Sequence, residues 1–556
     1  MPYGAQAFVF DKVRQEIRIL QEKTMKKTIG ILTFLLAFTV IFSSCTHGGN
    51  SSPSDSSDIT PPPDDKYAEL LDGYEKSDSV TEFSTENMDK VSLKETFDAA
   101  GVTADGKDVL IPFGMFGSGM CLQRDAVNRV WGTFNGDGNT HIAAEFRGKT
   151  YFGTVSGNNW EIYFPTMTAG GPYEMSLICD TGRINFTDVY VGEVYLLSGQ
   201  SNMEWKTVSS GTVLSGLYSN AETCVNERIR MVYLDGNFQD EPTKEFKTVP
   251  VWNGANASSI KEFSAVGYIF GRDLQKKLGC PVGLICNAIG GTIIESWIDK
   301  ATTDEYEKNN VTEYDNTQTR LMPNKSFNGM IYPLEGLNFR GVCWYQGESN
   351  TYGSEVNYDV ALKTLISLWR TFFNNPQLTF TVAELARFCE HPAVYSVINE
   401  KIAKVVEEDA LVCKAINIDQ GDWSNIHPKD KRVIGARLAS ETARNFFNRE
   451  ENVAPVVTSY EIVSDKEVWL IMSENVVAKN GANGFEVLTD DGYSFNCSVM
   501  ASENIVVVSS DTPFSGIRYG YAVEEKTEIT SNVSKSVTLF DKDGLPCDLF
   551  ILNFKK

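Results

Sequence analysis

Val189-Tyr190-Val191-Gly192-Glu193-Val194-Tyr195-Leu196-Leu197, followed after Ser198 by Gly199-Gln200-Ser201-Asn202-Met203-Glu204, is the stretch from which the fold can be read. The first run is apolar, β-branched and aromatic without strict alternation, which is the composition of a strand buried on both faces of a parallel sheet. A serine just past the carboxyl end of such a strand stands where open α/β sheets place their ligands. Gly, Ser and Asn are also ordinary turn residues, so position alone does not assign Ser201 a role.

The pattern after Asp188 supports a parallel sheet. Strand-like runs at Pro281–Asn287, Phe339–Tyr345, Leu378–Leu385 and Leu411–Ile418 alternate with helical ones. Over Ser264–Leu278 the apolar Val266, Phe270, Leu274 and Leu278 fall on one helical face, and over Ala393–Glu408 Val394, Ile398, Ile402 and Val405 do the same. Alternating strands and helices imply an α/β domain with helices on both faces of its sheet, expected over residues 188–450. On either side the texture is all-β. Residues 67–187 end in short alternating segments broken by Asn-Gly, Asp-Gly and Gly-Gly, and residues 451–556 carry hairpins such as the one around Asp490-Asp491-Gly492.

The N-terminus reads as a targeting segment. Met25-Lys26-Lys27 precedes an apolar run from Thr28 to Phe42 that is short for a membrane span, and Ser43-Ser44-Cys45 sits at the cleavage point. This resembles a bacterial lipoprotein signal over residues 25–45, with Cys45 as the lipidated end and residues 1–24 as an upstream artefact of start-codon choice. Residues 46–66, rich in Ser, Asp, Gly and Pro, read as a flexible tether. The expectation is an exported outer-membrane lipoprotein facing the periplasm or cell surface, touching the membrane only through the anchor at Cys45. A formal net charge of −23 argues against a nucleic-acid partner and a polybasic membrane surface. The cysteines after Cys45 form no CxxC pair, and the scattered histidines offer no ligand cluster, so neither a metal nor a cofactor is expected.

Each chemical candidate follows one of the strands. Ser201 follows the first, Gly290-Gly291-Thr292 the second, Gln346-Gly347-Glu348-Ser349-Asn350 the third, and Asp419, Asp422 and His427 the last. In a parallel sheet these ends face one crevice, and the combination fits ester hydrolysis through an acyl-enzyme. A serine needs a base, and the chain has only four histidines. His47 lies in the tether, His141 in the β region and His391 at a helix start, which leaves His427. The tetrahedral oxyanion needs fixed donors: the backbone N–H of Ser201, that of Gly291 or Gly290, and the neutral amide of Gln346. Glu348 cannot donate while ionised, and either orients the histidine or holds the loop.

The set GQSNMEW, GGTIIESW, FRGVCWYQGESN and IHPKDKRVIGARLA resembles the sialate O-acetylesterase family of SGNH-type carbohydrate esterases. The likeness runs from Met120-Cys121-Leu122-Gln123-Arg124-Asp125 to Asp541-Lys542-Asp543-Gly544-Leu545-Pro546. It implies a flavodoxin-like SGNH hydrolase domain between two small β domains, no metal, Ser201 as nucleophile, His427 as base, and removal of acetyl groups from sugar hydroxyls. Relatives place an aspartate two or three residues before the histidine, but here those positions are Asn425 and Ser424. The orienting group is then Asp422, Asp419 or Glu348, or a backbone carbonyl, with Asp422 preferred because it shares the loop. O-acetylated sialic acid is the first expected substrate. The same site would serve acetylated xylan or another polysaccharide, and a non-catalytic carbohydrate-binding lipoprotein is the alternative of another class. A sialate carboxylate calls for an arginine in the crevice, and Arg320, Arg340 and Arg387 are the candidates. Trp205, Trp344 and Tyr345 adjoin the motifs and could stack on sugar rings, although Trp344, lying within a strand, fits core packing better.

Overall fold

The computed structural model describes residues 99–220, 224–308, 310, 317–388, 392–479, 484–521 and 537–554. The expected signal, lipid anchor and tether, together with His391, lie outside them.

The long strand β1 (Arg183–Gly199) lies at the centre. Around it run β2 (Asn226–Tyr233), β3 (Asn253–Ala255), β4 (Val282–Ala288), β5 (Gly341–Tyr345), β6 (Thr379–Ala383) and β7 (Val412–Ala415), in the order β3-β2-β4-β1-β5-β6-β7. Neighbours pair in parallel from β2 through β7, and β3 closes one edge antiparallel to β2. The inner strands β4, β5 and β6 are buried at every position, which is why their sequences lack alternation.

Five helices matter for the site: the single turn α1 (Ser201–Glu204), α2 (Ala265–Leu278), α3 (Tyr358–Phe372), α4 (Pro392–Glu408) and α5 (Arg432–Phe447). Register shows that α2 and α3 cover opposite faces. Leu197 pairs with Cys343 and touches Gly267 of α2, whereas the next pair, Ser198 and Trp344, carries Trp344 onto Trp369 of α3. α5 packs on α2, with Gly435 against Ile269 and Val266. α4 joins α3 through Lys404 and Lys401, which both pair with Asp359.

The boundary expected at 187/188 falls inside β1. The first half of that strand pairs antiparallel with Gly170–Cys179, with register shifts, and its middle pairs parallel with Cys121–Gln123. Asp188 adopts φ +55°, so the change of texture there marks a bulge within a continuous strand. One apolar core accordingly runs from Val130, Trp160 and Phe164 through Leu196 to Trp344. Buried Glu193 ties the two regions together, accepting bonds from Arg124 at 2.5 Å and Arg340 at 3.1 Å. The C-terminal strands have a separate core around Leu470, Val487, Val506 and Tyr519. Lys414 of β7 joins them to the sheet by pairing with both Glu384 and Asp548.

Candidate active site

The carboxyl ends of β1, β4, β5 and β7 open on a cleft of about 570 Å³ lined by Ser201, His427, Gly291, Arg320, Trp205 and Tyr352, among others. A larger groove of about 700 Å³ between α5 and the C-terminal strands contains the Asp419–Arg437 ion pair and no nucleophile with a base.

At the end of β1 the chain turns sharply. Gly199 has φ +128°, and a side chain there would collide with the Tyr345 carbonyl, so only glycine lets β1 pass β5 and deliver Ser201 to the cleft. Ser201 Oγ lies 2.8 Å from His427 Nε2. The imidazole stacks on the Trp205 indole, with centroids 4.8 Å apart and planes at 21°. Asn425 Oδ1 accepts from the His427 backbone N–H at 2.9 Å. Burial, reinforced by the nearby Lys431 ammonium, holds the His427 pKa below the ordinary histidine value. The imidazole is therefore neutral at pH 7, as a base must be.

Other expected site residues stand differently. The Asp422 carboxylate accepts from Ser424 N at 3.0 Å and Ser424 Oγ at 2.8 Å. It turns back on its own loop and makes no hydrogen bond to His427. Asp419 is held by the Arg437 guanidinium at 2.5 and 2.9 Å. Glu348 accepts from Asn202 Nδ2 at 2.5 Å, and no bond joins it to the imidazole.

The Gln346 amide is fully engaged. Its Nε2 faces Asn350 Oδ1 at 2.7 Å, Thr292 O at 3.0 Å and Gln200 Oε1 at 3.2 Å. It is completely buried, so it braces the strand-end loops and has no N–H left for an oxyanion. Gly290 is likewise taken, because its N–H donates to Glu204 Oε2 at 2.6 Å. The N–H groups of Ser201 and Gly291 carry no hydrogen bond among the described residues. Gly291, at φ +80°, needs glycine to adopt its turn.

Trp344 and Tyr345 are buried and belong to the core. Of the three arginines, Arg340 is held by Glu193, while buried Arg387 donates to the carbonyls of Ile418 and Gly520. Arg320 is exposed on the cleft wall, donating to Gly290 O at 3.1 Å, with no carboxylate partner among the described residues. Asn202, Glu204 and Lys431 escaped the sequence reading. Asn202 and Glu204 stand inside the quoted motif, while Lys431 lies in the charged run Lys429-Asp430-Lys431-Arg432, whose composition gives no sign that one member is buried. Among the described residues, no cluster of His, Cys, Asp and Glu could hold a metal ion.

Comparison with known proteins agrees with this geometry. The chain is 29% identical over 319 residues to the sialate O-acetylesterases of Pongo abelii and Homo sapiens, a match covering 50% of this chain and 59% of theirs. A solved carbohydrate acetylesterase from Xanthomonas citri superimposes with a TM-score of 0.70 at 27% identity, covering 80% of this chain and 100% of that one. Residues 191–444, which contain Ser201, His427 and every strand end of the cleft, match the family described as carbohydrate esterase, sialic acid-specific acetylesterase. The part of the chain that builds the cleft is therefore similar to that family of carbohydrate esterases, and the chain spans about three-fifths of the length of the curated relatives it matches.

Proposed function

We propose that the protein is a serine ester hydrolase, with an SGNH-type α/β domain between β regions, that removes O-acetyl groups from glycans through an acyl-enzyme. The contact between Ser201 Oγ and His427 Nε2 carries this reading. His427 takes the serine proton as Oγ attacks the acetyl carbonyl, then gives it to the departing sugar oxygen. A water activated by the same imidazole releases acetate. The N–H groups of Ser201 and Gly291 are the oxyanion donors. With no carboxylate on the imidazole among the described residues, Trp205 and the histidine loop hold the ring in place.

O-acetylated sialic acid is the substrate class to test first. Arg320, exposed on the cleft wall with no carboxylate partner among the described residues, supports an acidic sugar in a chain whose net charge of −23 would otherwise repel one. Export as a lipoprotein anchored at Cys45 is part of the same proposal and rests on sequence alone. The test is acetate release from O-acetylated sialic acid and from acetylated xylan oligosaccharides in parallel, with Ser201→Ala as control. Release from the sialic acid that disappears in the variant is expected. Preference for xylan would keep the chemistry and overturn the substrate, and release that survives Ser201→Ala would overturn the mechanism.

A further inference from the structure

Beneath the serine and histidine lies a buried arrangement that the hydrolytic steps do not use. Asn202 sits between two opposite charges. Its Oδ1 accepts from Lys431 Nζ at 2.5 Å, and its Nδ2 donates to Glu348 Oε1 at 2.5 Å and to the Ile426 carbonyl at 3.1 Å. Lys431 is 0% and Glu348 2% exposed. Among the described residues the two do not pair directly: the ammonium otherwise faces the Tyr345 ring, 5.9 Å from its centroid, and Glu348 Oε2 has no hydrogen bond.

We propose that Lys431 is a positioning residue for the Ser201–His427 pair: with Glu348 it fixes the Asn202 amide, which ties the histidine loop to the serine turn. The inference rests on the esterase reading above. An amide between an ammonium and a carboxylate has one favourable orientation, oxygen to the cation and NH2 to the anion. Reversed, it would set NH2 against Nζ, and its oxygen against the Glu348 carboxylate and the Ile426 carbonyl. Asn202 follows Ser201 directly and Ile426 precedes His427 directly, so this one side chain sets the spacing of the two reacting groups. Burying two charges without direct pairing destabilises a fold, and an apolar residue at position 431 would avoid that cost if packing were its only task.

The same ammonium acts on the imidazole through space. Burial pushes the Lys431 pKa down to about 7, against the opposing pull of Glu348, and burial likewise pushes Glu348 up. Among the described residues, the charged and titratable groups facing His427 are Lys431 on its own loop, and, lining the cleft, Glu348 and Tyr352 after β5, Glu204 and Lys206 after β1, Tyr233 at the end of β2, and Arg320 across the cleft. Asp422 and Asp430 turn away to Ser424 and Arg432. Burial is the first cause of the lowered His427 pKa, and the Lys431 ammonium is the charge that adds to it.

The test compares full-length wild type with Lys431→Met and Lys431→Arg. It reads the pH profile of acetyl ester hydrolysis, the KM and kcat of each form, and the His427 imidazole titration by NMR. Lys431→Met is expected to lower kcat by about tenfold or more with KM within about twofold, as a displaced base does. It should also move the acid limb and the imidazole titration to higher pH, because a cation that favours the neutral ring has gone. Lys431→Arg should return both toward the wild-type pH. If thermal melting shows Lys431→Met unfolded, Lys431→Gln, neutral and still a donor, reads the same limb. A neutral variant with unchanged kcat, limb and imidazole titration would overturn the proposal. Wild type that titrates as described but releases no acetate would sink the esterase reading and this inference with it. Active wild type with unaffected variants would sink the inference alone.

Discussion

Replacing Asp422 with alanine separates two ways of holding the catalytic imidazole. If Asp422 oriented His427, its loss would cost about 10⁴-fold in kcat, the effect of removing the orienting carboxylate from a serine triad. In the structure this carboxylate instead accepts two exposed bonds from Ser424, at 3.0 and 2.8 Å. Such bonds contribute about 0.5–1.5 kcal/mol each at most to the loop, and less where water competes. If one bond's worth of that loss reached the transition state, kcat would fall by about tenfold, since 1.4 kcal/mol is a factor of ten. Steady-state hydrolysis of a small acetyl ester by Asp422→Ala, beside Ser201→Ala and His427→Ala, measures the difference. Expected are losses on the order of 10⁴-fold or more for the latter two and less than about tenfold for Asp422→Ala. A loss of about 10³-fold or more at unchanged KM would refute the reasoning, because it would mean that the side chain reaches Nδ1 during turnover.

Three further outcomes are expected. The lowered His427 pKa places the acid limb of kcat/KM below the ordinary histidine midpoint, so activity is kept at mildly acidic pH and lost as pH falls through the folded value; a limb above pH 6.5 would contradict it. Arg320→Ala should reduce kcat/KM about 10- to 100-fold for an acidic sugar ester, the loss of one charge-assisted bond, and leave a small neutral acetyl ester within about twofold. Glu193→Gln should destabilise the fold by about 3–5 kcal/mol in a denaturant melt, because it removes the buried carboxylate charge that Arg124 and Arg340 share. Burial alone would raise the Glu193 pKa, but Arg340 and Arg124, with a bond from Gln123, bring it below the ordinary value. Its contribution is therefore complete above the ordinary carboxylate range and disappears as pH falls through the folded pKa, a pH dependence the glutamine variant should lack.

Buried strands are easy to see in sequence because they stay apolar at every position. The runs at Pro281–Asn287 and Phe339–Tyr345 correspond to β4 and β5 within two residues. The strand Asn226–Tyr233 was not seen, since Asn226-Glu227-Arg228 opens it with polar residues where it pairs with the short edge β3. Ser201 and His427 were legible because strand ends converge and histidines are scarce. What sequence could not show was the allocation of hydrogen bonds. Gln346 offers two amide protons, and only the fold reveals that Thr292, Asn350 and Gln200 face them. Gly290 offers a backbone N–H that Glu204 takes, and Asp422 shares a loop with His427 while its carboxylate folds onto Ser424. Lys431 was hidden because a Lys-Asp-Lys-Arg run reads as solvated, whereas the third residue of this one points inward.

The most direct test of Ser201 as nucleophile is labelling with a serine-directed phosphonate, mapping the adduct by peptide mass and following acetyl ester hydrolysis in the same sample. A stoichiometric adduct on Ser201, forming in step with the loss of activity and absent from Ser201→Ala, is expected. An adduct elsewhere, or hydrolysis that continues after Ser201 is fully modified, would contradict the acyl-enzyme mechanism.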